Sequence, residues 1–227
     1  MESRTIIGEP LVVSVRRTLG NYRRTINRRR YNLWLKKEIK RLLNAGKPLK
    51  IILGASDTLF EGWLSTNIYN LDITKEEDWK KLFQPESISN ILAEHVFEHL
   101  TIEEGRRAIN CCLRYLKDGG IIRLAVPDAN HPSEYYRDYA KPMGHGAGAE
   151  DHKVFFDYKL VQELLEDQGS VRIEFLEYFD EYNNLHEKPL TDLNGYVSRS
   201  IRRERETPDS DFRFSSLIVD IIKEREN

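Results

Sequence analysis

The sequence is poor in cysteine and has no long apolar run. Its two cysteines, Cys111 and Cys112, are chain neighbours; on a helix they point about 100° apart, which suits neither a disulfide framework nor a metal cage. No window approaches the roughly 18 to 20 apolar residues of a membrane span, and the N-terminus lacks the apolar segment of a secretory signal. These absences predict a protein of a reducing, cytoplasmic compartment.

Charge is distributed unevenly along the chain, although the net charge is only −2. Residues 1–50 contain 14 Lys or Arg and three Glu, whereas the remainder contains 21 basic and 34 acidic residues. A solvated helix face is the plainest explanation of this basic arm; peripheral contact with an anionic membrane or a polyanion is the functional alternative. Nucleic acid is not favoured, because Tyr22, Tyr31 and Trp34 form no recognisable stacking platform.

Apolar periodicity predicts strands that alternate with helices. Glu104 follows Thr101 at the spacing of a capping box, which marks the start of one helix. Only nine residues separate Leu53 from Trp63, fewer than the roughly 10 to 12 that a parallel crossover with its helix needs, so the first crossover helix should be reduced to a turn or loop. The strands are predicted at 49–54, 63–68, 89–95, 121–126, 171–179 and 212–223, and the helices at 31–44, 101–117 and 157–168.

This alternation predicts an α/β fold, a Rossmann-like doubly wound sheet that is mostly parallel, with its last strand antiparallel. We expect residues 1–48 to form a basic helical extension and residues 49–227 to form the α/β domain. In such sheets ligands bind beyond the carboxyl ends of the strands. The residues expected at that edge are Gly54, Ala55 and Ser56 after the first strand, Asn67 and Asp72 near the second, Glu94 and His95 after the third, and Pro127 and Asp128 after the fourth.

The stretch "AEHVFEHL" at 93–100 contains the spacing His95-x-x-Glu98-His99, which some zinc peptidases use. That chemistry needs one continuous helix through both histidines and a third protein ligand, whereas Thr101 begins its own helix only two residues after His99. A metal-dependent hydrolase built on these residues is therefore a minor alternative. Two histidines hydrogen-bonded at the rim of a cleft are the simpler interpretation, and we predict no metal site.

Four segments together resemble the class I S-adenosylmethionine-dependent methyltransferases, in particular a bacterial branch of predicted methyltransferases. They are "LKIILGASDTLFEGWLSTNIYNLDIT", "ILAEHVFEHLTIEEG", "CLRYLKDGGIIRLAVPD" and "EDHKVFFDYKLVQELLEDQG". The resemblance runs from about Leu49 to Lys223 and implies S-adenosylmethionine as the cofactor. It implies that Gly54, with Ala55 and Ser56, approaches the methionyl part, Asn67 the ribose and Asp72 the adenine, while Glu94 and His95 form the wall beneath the sulfonium.

Two positions depart from the family pattern. Ser56 stands where the family usually has a second glycine, and Asn67 replaces the acid that accepts from the ribose diol. A neutral hydrogen bond is about 1 kcal/mol weaker than a charge-assisted one, which corresponds to about fivefold to tenfold in affinity. A methyltransferase-fold binding or scaffold module that has lost catalysis is therefore the second hypothesis.

The long segment 127–153 is rich in Gly, Pro, His and Tyr and is expected to be an irregular functional loop. Methyl transfer to a hydroxyl needs a base within hydrogen-bond reach. Asp128, His131 and His152 are the predicted catalytic residues, and His145 and Asp151 are further candidates. The resemblance implies a small-molecule acceptor, for which a sugar or glycan is the class suggested by family association; some related sugar methyltransferases use Mg²⁺.

Overall fold

A computed structural model describes residues 28–56, 58–206 and 215–225. The Arg-rich segment 1–27, where we predicted irregular or weakly helical structure, lies outside the described residues, as do the first positions of the strand predicted to begin at 212.

The described residues form a seven-stranded sheet in the order β2-β1-β3-β4-β7-β5-β6. Strand β1 pairs in parallel with β2 and β3, and β3 pairs in parallel with β4. Strand β7 is antiparallel to both β4 and β5, so the predicted doubly wound, mostly parallel sheet with an antiparallel last strand is confirmed. The strands are β1 Lys50–Leu53, β2 Leu64–Ser65, β3 Ile88–Glu94, β4 Leu116–Pro127, β5 Val171–Phe179, β6 Leu185–Glu187 and β7 Ser216–Lys223.

The helix that follows Thr101 begins at a side-chain cap. The main-chain N–H of Glu104 donates to Oγ1 of Thr101 and the N–H of Thr101 donates to Oε2 of Glu104, which is the predicted capping box. The described residues between β1 and β2, 54–56 and 58–63, contain turns and no helix, as the short spacing predicted. The helices are α1 28–44, α2 Glu76–Leu82, α3 Ile102–Tyr115, α4 Glu134–Ala140, α5 Tyr158–Leu165 and α6 Ile201–Glu206.

Helix α1 packs into the main core. Its Leu35 and Ile39 are buried together with apolar side chains of β1, β3, β4 and β7, and the hydroxyl of Tyr31 donates to the carbonyl of Ser65 at 2.7 Å. The helical part of the predicted extension therefore belongs to the same core as the sheet. No helix among the described residues combines the length and apolar character that crossing a bilayer requires.

The two faces of the sheet are covered in different ways. Helices cover the face formed by alternate side chains such as Ile51 and Leu53, whereas Ile52 on the opposite face packs with Leu92 and Val197. Val197 belongs to the covering segment, the mostly irregular residues 188–200 after β6, which packs on this second face through Leu190 and Val197. The alternation along β1 places one apolar set on each side, as expected for a strand in the middle of a sheet.

A buried ion pair attaches the covering segment to the sheet. Arg123 of β4 is fully buried, and its Nε and Nη2 donate to the two carboxylate oxygens of Asp220 on β7, each at 2.7 Å. Its Nη1 donates to the carbonyls of Thr191 and Gly195, which precede Val197. One guanidinium therefore uses its planar set of donors to connect two strands and the covering segment.

Replacing Arg123 by methionine leaves the Asp220 carboxylate buried without its charged partner. Removal of one member of a buried ion pair costs about 3–5 kcal/mol, so we expect a loss of that size in the free energy of unfolding, measured by urea denaturation. The control is Arg41→Met, whose ion pair with Glu38 lies on an exposed helix face, where screening by solvent makes its contribution much smaller. Equal losses in the two variants would contradict this role of Arg123.

Candidate functional site

Two adjoining cavities lie at the carboxyl ends of the central strands. The strand order reverses direction at β1, between β2 and β3, which is the topological switch point where open α/β sheets bind ligands. A cavity of about 220 Å³ follows the turn after β1 and the end of β3. A larger cavity of about 590 Å³ lies against the loop after β4, within the range of roughly 300–1,000 Å³ typical of ligand pockets. Ser56, His95 and Arg199 line both.

The turn after β1 requires glycine at position 54. Gly54 has a φ of +57°, and a Cβ at this position would lie 2.7 Å from Cγ2 of Val96. Only glycine therefore allows the main chain at position 54 to lie this close to the side chain of Val96. Gly54, Ala55 and Ser56 all line the smaller cavity, as the sequence predicted for this edge.

The two departures from the family pattern, Ser56 and Asn67, contact each other. Ser56 adopts a φ of +49°, a conformation that favours glycine and costs a non-glycine residue about 1–3 kcal/mol. The N–H of Ser56 donates to Oδ1 of Asn67 at 2.8 Å, and Nδ2 of Asn67 donates to the carbonyl of Ser56 at 3.3 Å. Asn67 thus stabilises the strained turn, and its side chain does not line either cavity.

Asp72 also lies outside the lining of both cavities. Its Oδ1 accepts hydrogen bonds from the N–H and hydroxyl of Thr74, and its Oδ2 pairs with Nζ of Lys75 at 2.7 Å. These contacts shape the turn before α2. The roles predicted for Asn67 at the ribose and Asp72 at the adenine stay predictions, and the structure gives both side chains local structural partners.

Glu94 attaches the covering segment to the smaller cavity. Its Oε1 accepts hydrogen bonds from the N–H and hydroxyl of Ser198 and from the N–H of Arg199. The guanidinium of Arg199 lies 3.9 Å from the same oxygen. Sequence reasoning missed Ser198 and Arg199, because the contact joins residues 104 and 105 positions apart in the chain and no local motif marks it.

The larger cavity contains three of the six histidines, His95, His99 and His152, around the carboxyl group of Glu98. Glu98 is 1% exposed, and burial raises its pKa to about 8, so the group is mostly protonated at neutral pH. Burial lowers the pKa of His95 and of His99. Burial therefore favours the uncharged forms of Glu98, His95 and His99 in this polar cavity.

His95 is held in a strained conformation at the end of β3. Its φ is +53°, its N–H donates to the carbonyl of Ala125, and its Nε2 lies 3.0 Å from Oγ of Ser216. Residues in such conformations cluster at functional sites because the surrounding contacts must enforce them. The strain at His95 and Ser56, which face the same two cavities, supports a ligand site here.

The loop after β4 is more regular than the sequence suggested. Oγ of Ser133 accepts from the N–H of Tyr136 and caps helix α4, and the N–H of Lys153 donates to the carbonyl of Glu98 at 2.7 Å. This second bond places His152 beside Glu98. Nδ1 of His152 bonds the carbonyl of Ala140 at 2.7 Å and therefore carries a proton, which leaves Nε2 directed toward Glu98 at 4.0 Å.

Asp128 and His131 do not line either cavity. The oxygens of Asp128 accept from the N–H groups of Asn130 and Phe179 at 2.9 and 2.8 Å, which joins the ends of β4 and β5. His131 is buried, accepts from the N–H of Ser133 through Nδ1, and has a pKa lowered by burial to about 4. Of the three predicted catalytic residues, the structure brings only His152 to the larger cavity.

The remaining base candidates, His145 and Asp151, do not line the larger cavity either. The ring of His145 packs against those of Tyr135 and Tyr139, and the proton of His152 Nδ1 goes to the main chain and not to Asp151. Tyr139, which the sequence analysis did not single out, does line the cavity; its position on the inner face of α4 could be found only after that helix was recognised.

Three side chains in the larger cavity are arranged as potential metal ligands. One ligand atom from each of Glu98, His99 and His152 lies within 4.8 Å of the others. No metal site is predicted from the sequence, in which only His95, Glu98 and His99 have a spacing used by zinc peptidases. The hydrolase hypothesis required a helix through His95 and His99, whereas the structure ends β3 at Glu94 and forms only a single 3-10 turn at Phe97–His99.

Fold and cavities together define a doubly wound α/β protein with a ligand crevice at its topological switch point. No family model matches the chain, and no curated protein matches it. Solved structures of S-adenosylmethionine-dependent methyltransferases are similar to it. One from Archaeoglobus fulgidus has 15% identity, with 86% of this chain and 94% of that chain covered and a TM-score of 0.42.

Two further solved structures of methyltransferases are similar to this chain. A methyltransferase from Thermotoga maritima, described as a possible histamine N-methyltransferase, has 16% identity over 92% of this chain and 97% of its own, with a TM-score of 0.44. Phosphoethanolamine N-methyltransferase 2 of Haemonchus contortus, solved with S-adenosylmethionine, has 13% identity over 83% and 53%, with a TM-score of 0.42.

Asp128 makes the stability of the protein depend on pH. Burial raises the pKa of its carboxyl group from 3.8 to about 6. Between these values the folded protein retains a proton that the unfolded chain has lost, so the free energy of unfolding should fall as pH rises from about 4 to 6, by about 2–3 kcal/mol from this group. Asp128→Asn lacks an ionisable group and should lack this component of the slope.

Urea denaturation at pH 4 and pH 6.5 measures the difference between the wild type and Asp128→Asn. The comparison uses the change between the two pH values, because the amide also alters the hydrogen bond to Phe179 at both. Asp118→Asn, at an exposed position on β4, serves as the control and should follow the wild type. Parallel pH profiles for the wild type and Asp128→Asn would contradict the raised pKa.

Proposed function

We propose that this protein transfers the methyl group of S-adenosylmethionine to a hydroxyl of a small polar acceptor such as a sugar or glycan. The observation that carries the proposal is the convergence of Gly54, Ala55, Ser56, Glu94 and His95 on one cavity at the switch point of the sheet. These residues come from two strands distant in sequence, and the family resemblance assigned all of them to cofactor binding.

The residues of the smaller cavity suit the methionyl part of the cofactor. Gly54 maintains a left-handed turn beside Val96 at the cavity wall, and Glu94 with Arg199 offers one acidic and one basic group for an ammonium and a carboxylate. S-adenosylmethionine supplies a methyl group on a sulfonium centre. The nucleoside part has no such match within the cavities, because Asn67 and Asp72 lie outside their lining.

The larger cavity suits a polar acceptor. His95, His99, His152 and Tyr139 line it, and they offer the hydrogen-bonding groups that a hydroxyl-rich molecule requires. In the cavity without a bound ion, Nε2 of His152 is the best-placed proton acceptor, because Nδ1 donates to the carbonyl of Ala140. Of the predicted catalytic residues, this proposal retains His152 as the base. Asp128 and His131 then serve only to hold the loop in place.

A binding or scaffold module without catalysis is the second candidate. The hydrogen bonds from Ser198 and Arg199 to Glu94 occupy the carboxylate that the proposal assigns to the cofactor. A protein that has lost the cofactor could keep this arrangement permanently, whereas an enzyme would exchange these bonds for bonds to its ligand.

Peripheral contact with an anionic membrane or polyanion stays a prediction, as does a cytoplasmic location. The outward side of α1 presents Lys36, Lys37, Lys40 and Arg41 to solvent, and this side agrees with the basic character of the arm.

Calorimetric titration with S-adenosylhomocysteine and S-adenosylmethionine tests the proposed function. We expect binding in the micromolar range to the wild type and a loss of at least about tenfold in Gly54→Ala, because the added methyl collides with Val96 and the left-handed turn disfavours alanine. No binding to the wild type up to about millimolar concentration would reject the cofactor and favour the binding module.

Gly46→Ala is a matched control, because Gly46 also has a positive φ, +62°, but has open space where its Cβ would lie. It should lose stability without losing affinity. Asp72→Ala tests whether this residue contacts the adenine end of the cofactor. An unchanged affinity agrees with its local contacts to Thr74 and Lys75, whereas a tenfold loss would support its predicted contact with the adenine.

A further inference from the structure

We propose that Glu98, His99 and His152 form a binding site for a divalent first-row transition-metal ion such as Zn²⁺ within the larger cavity. One ligand atom from each lies within 4.8 Å of the other two. Two imidazoles and one carboxylate are a donor set that such ions prefer. The site combines the 3-10 turn after β3 with the end of the long loop after β4.

The carboxyl group of Glu98 is buried in the cavity without a hydrogen-bond partner. The residue is 1% exposed, lines the cavity, and neither of its oxygens has a hydrogen-bond partner among the described residues. Nδ1 of His95 lies 3.3 Å from Oε1 but outside hydrogen-bond geometry. Buried polar atoms nearly always have partners, and a cation between Glu98 and the two imidazoles would provide one.

An outer hydrogen bond orients the imidazole of His152 for coordination. Its Nδ1 bonds the carbonyl of Ala140 at 2.7 Å, which leaves Nε2 directed toward Glu98 at 4.0 Å. The ring of His99 lies beside it, with the centres of the two rings 4.8 Å apart. Metal-binding histidines usually have such a partner on the nitrogen that does not coordinate.

The distances require only a small contraction. Nitrogen and oxygen ligands about 2.1 Å from zinc in a tetrahedron lie about 3.4 Å from one another, and the present atoms are separated by at most 4.8 Å. Side-chain rotations of His99 and His152 can close this difference. Three protein ligands leave the fourth position of a tetrahedral ion open toward the cavity.

A bound ion would change how the cavity works. His152 would then be a ligand instead of a proton acceptor, and a hydroxyl coordinated at the open position would release its proton to solvent more readily, because the ion lowers its pKa. This consequence rests on the proposed function, whereas the metal site itself does not.

Titration of the full-length, chelator-treated protein with ZnCl₂ in the absence of S-adenosylmethionine tests the site. We expect one equivalent to bind with micromolar affinity or better, and Co²⁺ to give visible absorption bands of a site with nitrogen and oxygen ligands. His99→Ala and Glu98→Gln should each weaken binding at least about tenfold, with the folded state of each variant checked by circular dichroism. His99 is only partly buried, so its variant remains informative if Glu98→Gln fails to fold.

His186→Ala is the control, because His186 pairs with Asp180 at 3.0 Å on the surface and could bind zinc adventitiously. Unchanged binding in this variant, together with losses in the other two, supports the site. No stoichiometric binding to the wild type, or binding that survives in His99→Ala and disappears in His186→Ala, would overturn the proposal. Because the titration omits S-adenosylmethionine, its failure is distinguishable from failure of the proposed methyl transfer.

Discussion

The bidentate ion pair between Arg123 and Asp220 is the interaction on which the arrangement of the site depends. It lies on the face of the sheet against which the covering segment packs, and its guanidinium also holds the carbonyls of Thr191 and Gly195. These bonds position the covering segment. Further along that segment, the hydroxyl of Ser198 donates a hydrogen bond to Glu94. A buried charge network in the sheet therefore determines the wall of a cavity at its edge.

The two cavities differ in their electrostatic character although they share a wall. Both contain Arg199, but the smaller one pairs it with the carboxylate of Glu94, whereas the larger one contains Glu98, His95 and His99, whose uncharged forms burial favours. Charged groups suit recognition of a zwitterion, and neutral imidazoles suit proton transfer or coordination. The shared residue His95 lies at the junction, with its main chain strained and both ring nitrogens facing polar neighbours.

The parts of the fold that depend on local signals could be predicted from the sequence. Strand β5 has the predicted bounds, 171–179, because its apolar and β-branched residues are flanked by clear turn signals. The capping box at Thr101 and the glycine turn at Gly54 were likewise readable, since each depends on a few adjacent residues. Together they placed Gly54, Ala55, Ser56, Glu94 and His95 at one edge, and the structure brings these five to one cavity.

Features that depend on distant contacts could not be read in this way. Arg123 lies in a strongly apolar strand, and no neighbouring residue in the sequence indicates that Asp220 is its partner. Helix α4 was missed within a segment rich in Gly and Pro, and Ser198 and Arg199 carry no motif. The contact between Ser56 and Asn67 shows the same limit: each looked like a separate departure from a family pattern, whereas together they form one stabilised turn.

The ends of the sheet have a consequence for association between chains. At one end the outermost strand, β2, contains only two residues, so this edge presents few main-chain groups to an approaching strand. The hydroxyl of Tyr31 already uses the carbonyl of Ser65 there. At the other end β6 pairs only with residues 177–179 of the nine-residue strand β5. A short edge such as β2 discourages strand addition and the edge-to-edge aggregation that follows from it, so its protection applies to one end of the sheet.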